Sequence, residues 1–266
     1  MDLKHLLVSI FLIGSITIVS CRVAPSNDLD VNHLPEGMVE KAGLKDWMFE
    51  QLIRKALEAF RRLMKKGDTK RNIPVLDPIF ALEEKGQFGD AHEIFLFKME
   101  NHNVTTTGLS DFTINKVDAS MFNLKATIDL TFNAIQRKGI YAVEANVMKD
   151  VRVLYGHGLF DNGIKNLNII AHMDFGLTLK KLYVKDVKVQ FNLQEVKFHL
   201  DGLLDNSKLG ETINQLFTDG SANYINKNRE RIQPMVDVKA KQRVSQLIDG
   251  MTLAELIAYL QALIDA

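Results

Sequence analysis

"LDGLLDNSKLGETINQLF" occupies residues 200–217 and marks the change on which the fold depends. Upstream of it, apolar and polar side chains alternate with period two for about a hundred residues, the signature of strands with one buried face. Downstream of Asp205-Asn206-Ser207 the period becomes three to four and persists for roughly forty residues. Asp, Asn and Ser are the residues that begin helices, because their side-chain oxygens accept from the free N–H groups of the first turn. The chain thus reads as a sheet followed by one long helix.

That helix carries Leu209, Ile213, Leu216, Phe217, Tyr224, Ile225, Ile232, Val236, Val244, Leu247 and Ile248, and Pro234 is expected to kink it by removing a backbone donor. At ~1.5 Å per residue it would form a rod of ~60 Å, against ~27 Å for a strand of eight residues. Such a rod buries its apolar stripe only if the sheet curls across it. The expected class is α+β: a long kinked C-terminal helix wrapped by a strongly curved antiparallel β-sheet, forming an elongated tube.

The strands read from residue 93 onward, through runs such as Leu124, Ala126, Ile128, Leu130 and Phe132, then Tyr141, Val143, Ala145 and Val147. Arg137-Lys138-Gly139 and Asp161-Asn162-Gly163 are expected as turns between them. No ten-residue helical pattern interrupts the series, which excludes parallel βαβ units. Before the strands, Leu44, Trp47, Met48, Leu52, Ala56, Ala59, Phe60 and Leu63 predict an amphipathic helix over 44–64, ended at Gly67-Asp68. Its Arg and Lys residues form a basic side suited to anionic surfaces or simply to solvent. In "IPVLDPIF", residues 73–80, two prolines enforce an extended or turn segment.

At the ends, Lys4 and His5 precede an apolar run to Val19 that is too short for the ~20 residues a bilayer needs, so residues 1–21 read as a secretory signal peptide. Ile18-Val19-Ser20-Cys21 is also similar to a bacterial lipobox. Cys21 is the only cysteine, so no internal disulfide supports the fold. Residues 22–43 read as a flexible lead-in, 44–250 as the domain, and 251–266 as an amphipathic helix begun by a Thr252/Glu255 capping box. With Leu253, Leu256, Ile257, Leu260, Leu263 and Ile264 on one face, residues 252–266 either plug one end of the tube or meet a membrane, a partner or a second copy.

Three blocks then come together: "IPVLDPIF", "VTTTGLSDFTINKVDA" at 104–119, and "VKFHLDGLLDNSKLGETINQLF" at 196–217 with Pro234 downstream. In this order they resemble the insect haemolymph juvenile hormone-binding protein and takeout family over residues 44–249. The resemblance implies the tubular lipid-binding architecture, with one or two apolar cavities for a small lipophile such as a terpenoid hormone, a fatty acid derivative or a quinone. Two departures stand out: the cysteine pair of takeout-like members is missing from residues 22–64, and residues 252–266 extend past the usual end. The mite group 7 allergen-like branch also lacks that pair.

Charge and motif content exclude other classes. Thirty-three basic residues balance 33 acidic ones, which leaves no footprint for nucleic acid. The seven histidines have no metal-binding spacing, and no cofactor motif or nucleophile elbow occurs, so neither an enzyme nor a cofactor is expected. His199 and Asp201 are expected on opposite faces of a strand end. The large residues expected to line a cavity are Trp47, Met48 and Phe60 on the first helix, Phe95, Phe97, Phe132 and Phe191 on strands, and Leu216, Phe217 and Tyr224 on the long helix. Tyr141 stands where the family often carries a strand-start tyrosine, and its phenol is a candidate for one directed hydrogen bond to a ligand oxygen. Asn103-Val104-Thr105 is a glycan acceptor sequence. The expectation is a secreted carrier; the competing reading is a secreted surface-interaction or innate-defence protein that uses its terminal helix on a partner, membrane or bacterial lipid.

Overall fold

The computed structural model describes residues 46–69, 73–89, 95–147 and 151–266, so the signal peptide and the lead-in lie outside the described residues. The first described helix, α1 (Asp46–Lys66), buries Phe49, Ile53, Ala56, Ala59, Leu63 and Met64, a stripe set by the 3.6-residue period. It stops at Gly67, whose φ of +70° suits glycine and whose N–H donates to Leu63 O at 2.7 Å.

Among the described residues, seven antiparallel strands follow: β1 (Ile79–Gly89), β2 (Phe95–Thr107), β3 (Phe112–Ser120), β4 (Lys125–Val147), β5 (Val151–Thr178), β6 (Lys181–Asn192) and β7 (Glu195–Lys197). Their order is β1-β2-β4-β5-β6, with β3 on β4 and β7 on β5. β4 pairs with β3 over its first part and with β2 over its second, so three neighbours wrap one continuous strand.

Here the structure corrects the sequence reading. β4 and β5 run for 23 and 28 residues. Arg137-Lys138-Gly139 and Asp161-Asn162-Gly163 are not turns but lie opposite each other at mid-strand, with Arg137 paired to Asn162 and Gly139 to Phe160. Their polar side chains form pairs rather than bend the chain: Arg137 Nη2 donates to Glu84 at 2.6 Å, and Asp161 accepts from Gln136 at 2.9 Å and Lys197 at 2.7 Å. Gly139 is needed because a Cβ there would meet His102 O and the Phe160 ring at 2.9 Å. At ~3.3 Å per residue, strands this long rival the helices in length rather than falling short of them.

Two of the quoted blocks meet directly. The Asp77 carboxylate accepts from Gly108 N at 2.9 Å, Ser110 N at 2.8 Å and Ser110 Oγ at 2.5 Å, tying residues 73–80 to the β2–β3 corner. Gly108 has φ +88° and leaves no room for a Cβ, which would lie 1.9 Å from Ala134 O.

After a 3-10 turn at Leu203–Asn206, Ser207 caps α2 (Lys208–Lys227) by accepting from Gly210 N at 3.2 Å. The long helix is interrupted upstream of Pro234. It breaks at Asn228, where φ is −98° and ψ 16°, and α3 (Arg229–Ile248) starts afresh. Asn228 Nδ2 and N–H both donate to Tyr224 O, at 2.8 and 3.0 Å, so one residue caps the helix by saturating a carbonyl of its last turn. Pro234 then rides in the second turn of α3.

The two helices lie along the inner face of the sheet. Ile225, Tyr224, Ala222, Ile232 and Val236 pack on Ile135, Ile164, Leu167, Phe191 and Val196, while Ala240 and Val244 cover Val184, Val187 and Val189 of β6. Side chains on α2 also clamp the chain that runs past β6: Asn226 bonds both N–H and O of Leu193, Thr218 those of Phe198, and Asn214 those of Leu200, all at 2.7–3.1 Å.

The last helix, α4 (Leu253–Ile264), begins with the expected reciprocal Thr252/Glu255 cap. It packs on α1. Leu256, Ile257 and Leu260 join Phe49, Ile53, Val117, Ala119 and Ala126, and Leu263 joins Leu63 and Ile73. Residues 252–266 thus lie against α1, β3 and β4, with Leu263 buried and the other apolar side chains of the helix half-buried.

Candidate ligand-binding interior

Strand alternation sends every second residue of the curved sheet inward, and on β4 the inward series is Ile135, Arg137, Gly139 and Tyr141. Its apolar members belong to two different clusters. One surrounds Ile135 and contains Phe112, Ile164, Leu167, Phe191 and Ile225, with Phe60, Phe132 and Tyr224 packed against it. The other surrounds Tyr141 and contains Phe97, Val104, Leu154, Phe160, Leu200 and Leu203, with Phe198 and Ile213 at its edge.

Between them a polar belt crosses the inner face. Thr106 of β2, Arg137 of β4 and Asn162 of β5 are successive register partners, only 2, 6 and 5% exposed. Asn101, 7% exposed, and Glu84 pair two inward steps further along, past Gly139 and the β2 bulge, beside Tyr141. The Arg137–Glu84 bond at 2.6 Å makes an internal ion pair, and Asn101 Nδ2 also faces Glu84 Oε2 at 3.4 Å.

The expected lining residues fall into three groups. Phe60, Phe132, Phe191 and Tyr224 gather in the first cluster, with Phe132 and Phe112 rings 5.6 Å apart. Phe97 and Tyr141 lie in the second, and Phe217 is half-buried with its ring 5.0 Å from Phe198. Trp47, Met48 and Leu216 are turned outward, Trp47 57% and Leu216 65% exposed. The reason is helical phase: Gly210, Asn214, Phe217, Ser221 and Ile225, three or four apart, take the inner face of α2, which leaves Leu209 and Leu216 on the outer one. The side chain of Phe95, at the start of β2, lies outside the described residues.

Tyr141 is fully buried. Its hydroxyl donates to Asp201 O at 2.7 Å, so the phenol proton is held by the chain itself. Burial pushes its pKa upward, and the nearby Asp201 charge adds to the shift. His199 and Asp201 do not face apart: residues two apart on an extended segment share a side, and His199 Nε2 lies 2.8 Å from Asp201 Oδ1. Asn103 is exposed at the β2 bulge with φ +51°, an accessible place for a glycan acceptor. Sequence reasoning missed the belt, because its members hide in stretches that read as turn or ordinary strand.

A curved antiparallel sheet around helices, with an inner face that is apolar on both sides of a belt, matches the architecture that the three sequence blocks implied. The family model for haemolymph juvenile hormone binding protein matches residues 16–258. The chain belongs to this family. Among solved structures, it is similar to Takeout 1 of Epiphyas postvittana, with a TM-score of 0.51 at 15% identity, over 75% of this chain and 93% of that one. It also matches lipopolysaccharide binding protein, with a TM-score of 0.34 at 14% identity, over 73% of this chain and 36% of the other. No curated protein matches the chain by sequence. The family is one of binding proteins. No helix among the described residues is long and apolar enough to cross a membrane.

Proposed function

We propose that the protein is a secreted carrier of a small hydrophobic molecule: a terpenoid hormone, a fatty acid derivative or a quinone. The observation that carries this reading is the aromatic-rich inner face, Phe60, Phe97, Phe132, Phe191, Phe217 and Tyr224, enclosed by sheet and helices in a family named for hormone binding. The mechanism is desolvation. Transfer of apolar ligand surface out of water contributes ~25 cal/mol per Å², so a chain of fifteen to twenty carbons gains several kcal/mol with no charge chemistry. The signal-like residues 1–21 and the exposed acceptor Asn103 support export, and the Asn103 sequon is a place for a glycan. The competing reading needs residues 252–266 for a partner, a membrane or bacterial lipid, yet their apolar face is used against α1.

Native mass spectrometry of the protein, followed by organic extraction, tests the carrier reading. A co-purifying lipophile at near-stoichiometric occupancy is expected. Protein that is empty and also refuses a panel of terpenoids, fatty acids and quinones would overturn it.

A further inference from the structure

The belt across the inner face holds three of the four buried side-chain polar atoms that lack a partner among the described residues; the fourth, Arg61 Nε, is on α1. Arg137 Nε, Asn101 Oδ1 and Thr106 Oγ1 are buried with no hydrogen-bond partner among the described residues, although each residue is at least nine-tenths buried. Buried polar groups are nearly always satisfied, so three such atoms on the neighbouring strands β2 and β4, in the residues that pair with or carry the Arg137–Glu84 contact, call for a partner. Other buried polar side chains are satisfied: Asn162 of β5 accepts from His199 N at 3.1 Å, and Asp237 of α3 accepts from Val189 N at 2.7 Å.

The chemistry of the free atoms defines what they would receive. Arg137 Nε is a donor only. Asn101 presents its amide nitrogen to Glu84, which a carboxylate requires, and so its oxygen is left as an acceptor. Thr106 Oγ1 can do either. A group that satisfies them both donates and accepts. Charge adds a second restriction: Arg137 is neutralised by Glu84 at 2.6 Å, so a ligand carboxylate would bring an uncompensated negative charge beside Glu84. An ester, ether or quinone oxygen accepts but cannot serve Asn101 Oδ1. A hydroxyl meets every condition.

We infer that the belt formed by Thr106, Arg137, Asn101 and Glu84 is a subsite for the hydroxyl group of a neutral lipophilic alcohol, whose hydrocarbon part lies along the apolar inner face. This rests on the carrier reading and narrows its ligand class. The hydroxyl would accept from Arg137 Nε and donate to Asn101 Oδ1, with Thr106 beside it.

The test compares 1-hexadecanol with its methyl ether and with palmitate, by displacement of an environment-sensitive fluorophore from the full-length protein. The alcohol is expected to bind about tenfold or more tightly than the ether, which keeps the acceptor but has lost the donor. Palmitate is expected to bind more weakly than the alcohol at neutral pH. Asn101→Leu and Thr106→Val should reduce the alcohol-to-ether ratio toward one while the ether's own affinity is retained. Thr106→Val, nearly isosteric and removing only an unpartnered hydroxyl, should melt no lower than the parent, so a folded variant is available. Equal binding of alcohol and ether by the parent protein, or an unchanged ratio in both variants, would overturn the subsite and leave the carrier reading standing. Binding of none of the three probes would count against the carrier reading itself, and the subsite would fall with it.

Discussion

Tyr141→Phe removes one hydroxyl and no packing, which makes it a clean probe of a single contact. Its partner is the Asp201 carbonyl in the loop before α2, so the loss should lower stability by about 1 kcal/mol, read as a reduced denaturant midpoint with an unchanged slope. Lipophile affinity should stay within about twofold, because a net hydrogen bond of that size is being lost to the chain rather than to the ligand. A large fall in affinity with normal stability would return the phenol to the ligand. At this scale the sequence was only partly legible. Tyr141 stood out by its position, but its partner is 60 residues away, and no local pattern reports such a contact. Arg137 and Asn162 were harder still, since a polar residue beside glycine is what a turn also looks like.

Among the elements, the clamps on α2 were overlooked although their signal is present. Asn214, Thr218 and Asn226 fall four and then eight residues apart, a single helical face, and they interrupt an otherwise apolar stripe. Such a row suits exposed backbone of an unpaired sheet edge. Asn226→Ala should strand both N–H and O of Leu193, costing about 1–3 kcal/mol per buried group left unsatisfied, as measured by thermal or chemical unfolding. By contrast Pro234→Ala should not destabilise, because the break between α2 and α3 is made by Asn228. The α4 cap was fully legible, since a capping box is local. Glu255 has its pKa lowered from 4.5, chiefly by the hydrogen bond from the Thr252 backbone N–H. A depressed folded-state value means the cap is at full strength above the unfolded value and fades as pH falls through the folded one. The stability difference between the parent and Glu255→Gln should therefore be present at pH 7 and shrink below about pH 4.

For the molecule as a whole, the decisive feature is how its ends are closed. Periodicity was enough to see a sheet that curls around a long apolar helical stripe, but not for the reason of length, since β4 and β5 are as long as the helices and the stripe is shared by α2 and α3. It could not show that β4 and β5 each run unbroken from one end to the other, since long strands with polar middles look like several short ones. Nor could it place α4, whose apolar face had several possible destinations until α1 was found beneath it. This arrangement makes α1 and α4 one wall: Leu256, Ile257 and Leu260 on one helix cover Phe49 and Ile53 on the other, above Val117, Ala119 and Ala126 of the sheet. Deleting residues 252–266 should therefore do more than shorten the chain. It exposes the buried stripe of α1, so the melting temperature should fall by several degrees and binding of a hydrophobic dye should rise. A helix that has lost its cover also opens more readily, and ligand exchange from an enclosed site is limited by such opening. The off-rate of a bound lipophile should increase on the order of tenfold, with a smaller change in the on-rate. Unchanged melting with unchanged ligand release would mean that α4 only lies on a wall already complete without it, and that lipophiles leave by the opposite end, past the loop that holds Tyr141.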